Sequence, residues 1–194
     1  MTRVRPGKLA HVLYRTRRFE EMLAWYRVVF DARVQQQSPA LAFLTYDDEH
    51  HRFAFANLAL LQPEGETEKT GLIGIDHVAY GYASLHDLFQ NYVQLKSLGI
   101  TPYWCIHHGV TVSMYYADPD GNQMEFQVEA FASKEDANAF MRGPVYAANP
   151  LGVEFDPDDW LARLAAGTPA SDLLVRRVHV PMSPIRGAVE RRGL

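Results

Sequence analysis

The sequence predicts an α+β protein in which paired β-α-β-β-β units form a curved eight-stranded cup with the helices outside. The first observation is an internal repeat. Residues 8–34 and 74–100 each begin with a short apolar run containing His-Val and continue through a polar turn into an amphipathic helix. The second observation is that three short strand-like runs follow each helix. We therefore assign repeat one to residues 8–61 and repeat two to residues 73–129, which together form a single module.

Each repeat contains one helix whose apolar residues recur at helical spacing. These residues are Phe19, Met22, Leu23, Tyr26 and Phe30 in repeat one, and Leu85, Leu88, Phe89, Tyr92 and Leu95 in repeat two. Ser84 is a residue type that caps helix N-termini, and Gly99 stands where a helix end favours a left-handed residue. The strand-like runs are ARVQQQ, LAFLTYD and FAFANLALL in repeat one, and TPYWCI, TVSMYYA and QMEFQVE in repeat two.

Residues 130–194 differ from the repeats and are predicted to form a helical and irregular C-terminal extension. Ser133 is a candidate cap for a helix in SKEDANAFMR. Asp156 and Pro157 form a good cap and first-turn pair for a second helix, which Gly167 closes. The final stretch has no periodicity, so we expect an irregular tail that lies along the domain or a neighbouring subunit.

Composition narrows the class of protein. The chain has 194 residues, 47% of them hydrophobic, which suits one domain with a full core plus a structured tail. A formal charge of −4 without runs of like charge favours a small-molecule partner over nucleic acid or a membrane surface. The single cysteine, Cys105, excludes an intrachain disulfide and a Cys-based zinc site. With neither a signal-peptide core nor a membrane-length apolar run, we expect a cytoplasmic protein.

Three residues are candidate metal ligands. His11 and His77 occupy equivalent positions in the two repeats, although each alone also fits a structural histidine in an apolar strand. Glu125 alternates with apolar neighbours in the strand after the Asp-Pro-Asp-Gly turn, so it faces the cup interior, where an unpaired carboxylate is costly. Two imidazoles and one carboxylate form the ligand triad of non-haem Fe(II) oxygenases. The sequence thus predicts an Fe(II) site, with Mn(II) as the alternative.

Four pieces of the sequence, which contain these candidate residues, resemble a known family. The pieces AHVLY at His11, DEHHRFAFA at His50 and His51, IDHVAY at His77, and SMYYADPDGNQMEF ending on Glu125 are similar to type I extradiol (catechol-type) ring-cleaving dioxygenases. That family belongs to the vicinal-oxygen-chelate superfamily, which includes glyoxalase I, and the resemblance covers roughly residues 8–129. The DPDGN turn is shared widely across the superfamily, whereas the DEHHRFAFA piece is more specific.

The resemblance implies roles for further residues. It implies that His51 is the acid-base catalyst with His50 beside it, although residues 47–51 also read as an ordinary solvated loop. It implies that Tyr115 hydrogen-bonds a substrate oxygen, with the neighbouring Tyr116 as the competitor. A further histidine often precedes this tyrosine. The candidates are His107 and His108, but a gapless alignment puts Ile106 at that place.

The implied reaction is cleavage of a catechol-type aromatic diol by O₂, with both oxygen atoms incorporated. Better-known members carry two modules, and the single module here implies a homo-oligomer. Three alternatives remain open. The first is a metal-dependent lyase, isomerase or epimerase of the same fold, and the second is a non-enzymatic small-molecule binder. The third is a dioxygenase-like module with a bound metal but a different or lost activity.

Overall fold

The computed structural model describes residues 9–61, 63 and 75–187. Contacts divide the chain into two compact units. Unit 1 is Met1–Thr70 with Asp118–Gly121, and unit 2 is Gly71–Ala117 with Asn122–Leu194. Each unit contains one β-α-β-β-β sequence of elements, so the predicted α+β class with paired units is confirmed.

Unit 1 forms a four-stranded sheet covered by one helix. Its elements are β1 (Val12–Thr16), α1 (Phe19–Val29), β2 (Arg33–Gln37), β3 (Leu41–Thr45), β4 (Phe53–Asn57) and α2 (Leu58–Leu61). The sheet order is β1-β4-β3-β2, with β1 parallel to β4 and the other pairs antiparallel. The run FAFANLALL was predicted to be wholly strand, and this is wrong for its last four residues, which form α2. The Asn57 side chain accepts a hydrogen bond from the Ala59 amide, which starts this turn where the strand ends.

The core of unit 1 is aromatic. The ring of Tyr26 on α1 lies 4.7 Å from the ring of Phe53 and 4.8 Å from the ring of Phe55, both on β4. All three side chains are buried, and the Tyr26 hydroxyl hydrogen-bonds the Asp118 carboxylate at 3.2 Å. The predicted apolar stripe is therefore the face that attaches α1 to the sheet.

Unit 2 repeats this arrangement and then continues. Its elements are β5 (His77–Gly81), α3 (Leu85–Ser97), β6 (Trp104–His107), β7 (Thr111–Ala117), β8 (Gln123–Glu129), α4 (Lys134–Met141), α5 (Pro144–Ala148), β9 (Val153–Glu154), α6 (Pro157–Ala165) and α7 (Ala170–Leu173). The sheet order is β5-β8-β7-β6-β9, so the C-terminal segment adds the fifth strand. The Ser84 cap is confirmed, because its side chain accepts from the Asp87 amide, and Gly99 has the expected positive φ of 79°.

The C-terminal segment packs as part of unit 2. Ser133 and Asp156 cap α4 and α6 through side-chain hydrogen bonds, as predicted. Trp160 on α6 stacks on Phe155 at a ring distance of 4.1 Å and reaches Phe89 on α3. Residues 178–187 form neither helix nor strand, and the last seven residues of the predicted tail lie outside the described residues. Among the described helices, none has the length and apolar character needed to cross a membrane. The division into a module and an extension remains a prediction.

Candidate active site

Two of the three predicted metal ligands lie together in unit 2. β5 and β8 are adjacent parallel strands, and their pairing brings His77 and Glu125 to the same place. The distance from His77 Nε2 to Glu125 Oε2 is 3.1 Å, and His77 Nδ1 lies 2.7 Å from an Asp76 carboxylate oxygen. A histidine that donates through one ring nitrogen to a carboxylate and presents the other is the usual form of a metal-binding imidazole.

The charge of Glu125, which lies beside His77, favours a bound cation at this place. Glu125 is only 6% exposed. Burial acts to raise the pKa of Glu125, but hydrogen bonds from His77 and Ser113 and the nearby His108 lower it overall. The hydrogen bond to Glu125 is also the main cause that raises the pKa of His77 to about 9. The buried carboxylate is therefore ionised, and either an imidazolium proton or a metal ion must balance its charge.

The register of β7 against β8 distinguishes the two candidate tyrosines. Tyr115 lies directly opposite Glu125, whereas Tyr116 lies opposite Met124 on the other face of the sheet. The Tyr116 ring is buried 5.2 Å from the Phe126 ring. The geometry therefore supports Tyr115 as the tyrosine of the site.

The candidate histidines after β6 are distinguished in the same way. His108 Nε2 lies 3.1 Å from the Tyr115 hydroxyl and 3.8 Å from Glu125 Oε1. His107 lies near the Trp160 ring, with 6.3 Å between the ring centroids, and Ile106 is core beside Trp104 and Tyr115. Burial lowers the pKa of His108, so its ring is neutral near pH 7. His108 is thus the histidine that lies beside the pair His77 and Glu125, two residues from where a gapless alignment would put it.

Three histidines lie together in unit 1. The ring of His51 lies 4.5 Å from the ring of His11 and 4.4 Å from the ring of His50. The Nδ1 atoms of His50 and His51 are 2.5 Å apart, which leaves Nε2 of His51 outside this contact. Burial lowers the pKa of His51, and the charges of His11 and His50 lower it further. His51 is therefore a neutral base near pH 7, next to the predicted ligand His11.

Arg52 connects the histidine loop to the chain before β1. Its guanidinium lies 2.9 Å from an Asp47 carboxylate oxygen and also donates to the carbonyls of Leu9 and Ala10. The Arg52 carbonyl accepts from the Val12 amide at 2.9 Å. Through Arg52, the loop that contains His50 and His51 is therefore hydrogen-bonded to the chain on both sides of His11.

Within the described residues, no three His, Cys, Asp or Glu side chains form a group that could hold a metal ion. The structure groups His77 with Glu125 in unit 2, and His11 with His50 and His51 in unit 1. The complete set of three ligands therefore remains a prediction. Sequence reasoning missed Asp76, although it directly precedes His77 in the IDHVAY motif and could have been found there.

Comparison with known proteins agrees with these features. Residues 8–126 match the family described as Glyoxalase/Bleomycin resistance protein/Dioxygenase superfamily. The chain is 47% identical over 179 residues to Biphenyl-2,3-diol 1,2-dioxygenase 2 of Rhodococcus globerulus, a match that covers 91% of this chain and 92% of that protein. It is 39% identical over 172 residues to Biphenyl-2,3-diol 1,2-dioxygenase 3 of the same organism, covering 87% of this chain and 88% of that protein.

Solved structures share the fold at low sequence identity. A glyoxalase/bleomycin resistance protein/dioxygenase from Nocardioides has a TM-score of 0.54 at 18% identity, covering 69% of this chain and 89% of that one. Lactoylglutathione lyase from Agrobacterium tumefaciens has a TM-score of 0.50 at 16% identity, covering 63% of this chain and 94% of that one. These likenesses establish the fold alone. On the family match and the two close relatives, the chain belongs to the glyoxalase/bleomycin resistance protein/dioxygenase superfamily and, within it, to the extradiol ring-cleaving dioxygenases.

Proposed function

We propose that this protein cleaves a catechol-type aromatic diol of the biphenyl-2,3-diol class with O₂, using one divalent metal ion. The observation that carries the proposal is the face of unit 2 on which His77 and Glu125 converge at 3.1 Å, with Tyr115 directly opposite Glu125. The names of the two relatives, which match nearly the whole chain, supply the substrate class and the reaction.

The chemistry of two of the three predicted ligands suits a divalent metal. A buried, ionised Glu125 and an imidazole oriented by Asp76 are donors that iron and manganese accept. We propose that His11, His77 and Glu125 hold the ion, with Fe(II) as the metal and Mn(II) as the alternative. When bound, the ion supplies Lewis acidity and a path for electrons between diol and O₂.

The protein's own groups then manage protons and orientation. His51 is neutral near pH 7, so it can accept a proton from a diol hydroxyl and later return it to an oxygen of the ring-opened product. His50 contacts His51 through Nδ1 and orients that ring. The oxygen of Tyr115 accepts a hydrogen bond from a substrate hydroxyl, because its own O–H donates to Nε2 of His108, which holds the phenol in place. We further propose that the protein is a homo-oligomer and acts in the cytoplasm. The molar mass of the purified protein, measured by light scattering, would test the oligomeric state.

The experiment is anaerobic purification and metal quantification, followed by O₂ uptake and formation of yellow ring-opened product from biphenyl-2,3-diol. The wild type is compared with His51→Ala and with His86→Ala, an exposed histidine on α3 that serves as the matched control. We expect one iron or manganese per chain in all three proteins, and loss of product in His51→Ala alone.

The other outcomes contradict the proposal at defined points. Bound metal without O₂ uptake for any catechol would indicate a non-oxidative lyase, isomerase or epimerase. The absence of any bound metal would overturn the ligand set itself. Full activity in His51→Ala would refute the proposed role of His51 but not the proposed cleavage of the diol.

A further inference from the structure

A buried arginine joins the C-terminal segment to the candidate site. Arg176 is 8% exposed. Its guanidinium donates to the carbonyls of His108 and Asn149 at 2.8 Å each and to the carbonyl of Val145 at 3.0 Å. In the part of the chain that the structure describes, Arg176 has no carboxylate partner, and burial lowers its pKa. Taking a cation out of water without a counterion is costly, so these three carbonyls must hold it in one arrangement.

The same segment determines which nitrogen of His108 carries the proton. His108 Nδ1 lies 2.5 Å from the carbonyl oxygen of Leu151. A carbonyl oxygen only accepts, so Nδ1 must carry the hydrogen. In the neutral ring Nε2 is then a bare acceptor, and it faces the Tyr115 hydroxyl at 3.1 Å. The Leu151 carbonyl thus sets the tautomer of His108, while Arg176 holds its main chain.

The chain around Gly152 lies directly against the main chain of His107 and His108. Gly152 has a φ of +121°, and a β-carbon there would overlap the His107 carbonyl oxygen and lie 2.8 Å from the His108 Cα. The Asn149 side chain accepts from the Gly152 amide at 2.6 Å and donates to its carbonyl at 3.1 Å. β9 then pairs Val153 with His107. The close contact between Gly152 and the main chain of His107 and His108 is therefore stabilised by the Asn149 side chain and by the pairing of β9 with β6.

We propose that Arg176 and the Leu151 carbonyl position His108 for substrate binding, holding its bare Nε2 against Tyr115. Arg176 is a positioning residue that acts through His108 and does not itself touch the substrate. The kinetic part of this inference rests on the proposed function, but the tautomer of His108 does not.

The first test measures the tautomer without any reaction. The full chain, labelled with ¹⁵N-histidine and kept in Zn²⁺ to avoid a paramagnetic ion, is studied by long-range ¹H–¹⁵N correlation. His108→Gln identifies the His108 signals. We expect the Nδ1–H form in the wild type and a mixture of tautomers in Arg176→Met. An unchanged Nδ1–H signal in Arg176→Met, or the opposite tautomer in the wild type, would overturn the inference.

The second test is a double-mutant cycle with biphenyl-2,3-diol. We expect Arg176→Met to lower kcat/KM about tenfold, mainly through a higher KM, because a displaced His108 no longer orients Tyr115. In the His108→Gln background the same change should have no further effect, since both act through one side chain. Arg163→Met is the matched control, because Arg163 on α6 approaches Asp159 only at 4.0 Å.

A merely structural role would give a different pattern. It would lower the folded or metal-loaded fraction, reduce kcat at constant KM, and add to the effect of His108→Gln. Arg176→Lys retains a buried cation and should recover part of the loss, and it replaces Arg176→Met if that variant does not fold. An inactive wild type would refute the proposed function, whereas the tautomer experiment would still decide the positioning role.

Discussion

Replacing Gly152 by alanine tests how closely the C-terminal segment approaches the candidate site. Two costs apply. A non-glycine residue at φ +121° is strained by roughly 1–3 kcal/mol. The added β-carbon would also overlap the His107 carbonyl oxygen, which is main chain and cannot rotate away, and overpacking of this kind costs about 1–3 kcal/mol. We therefore expect a loss of about 3 kcal/mol in the free energy of unfolding, with the two terms partly relieved by one backbone shift.

Gly167→Ala is the matched control. Gly167 also has a positive φ, of 89°, but a β-carbon there meets nothing within 4 Å. Only the conformational cost applies, so we expect a loss of about 1 kcal/mol. For a chain of this size the melting temperature should fall by roughly 6–12 °C in Gly152→Ala and by roughly 2–4 °C in Gly167→Ala. Urea unfolding followed by circular dichroism measures both. Equal losses in the two variants would refute the close approach of Gly152 to His107 and His108.

Three further predictions follow from single side chains. Tyr115→Phe should lower kcat/KM for the diol by at least about tenfold with metal retained, because it removes the hydroxyl beside His108, whereas Tyr116→Phe should leave kinetics unchanged. Burial raises the pKa of Cys105 to about 12, so its thiol should not react with a disulfide reagent at pH 8 until the protein is unfolded; rapid labelling of the native protein would contradict this. Burial lowers the pKa of His107 to about 4, so only the unfolded state binds this proton between the ordinary value of 6.5 and about 4. Stability should therefore fall by roughly 2–3 kcal/mol as the pH drops through that window, and urea titrations of His107→Gln should show a smaller fall.

The helices and their ends could be predicted from the sequence because they depend on neighbouring residues. The apolar stripe of α1 that contains Tyr26 and the N-terminal cap of α3 at Ser84 each depend on residues only a few positions apart in the sequence. The one strand prediction that failed, at the end of FAFANLALL, concerned an apolar run in which periodicity does not separate strand from helix. There the side chain of Asn57 decided the outcome locally.

The candidate site could be predicted only in part. The predicted ligands and His51 stand in motifs that resemble a family, and the alternation along β8 separates Glu125 from the core residues Met124 and Phe126. Identifying His108 as the histidine beside His77 and Glu125 required the three-dimensional structure. His108 is the first residue after β6, and a gapless alignment does not reveal where that strand ends. The choice of Tyr115 over Tyr116 required the register of β7 against β8.

The sequence by itself determined the repeat, the α+β class, the element order and the residue types that metal and proton chemistry need, because these follow from composition and short-range spacing. Tertiary structure alone decided which side chains meet. Arg176 and His108 are far apart in the chain, and Leu151 acts on His108 through a carbonyl that every residue possesses. A contact made by main-chain atoms across such a separation leaves no mark in the residue pattern, since it depends on how the strands pair and not on which side chains they carry.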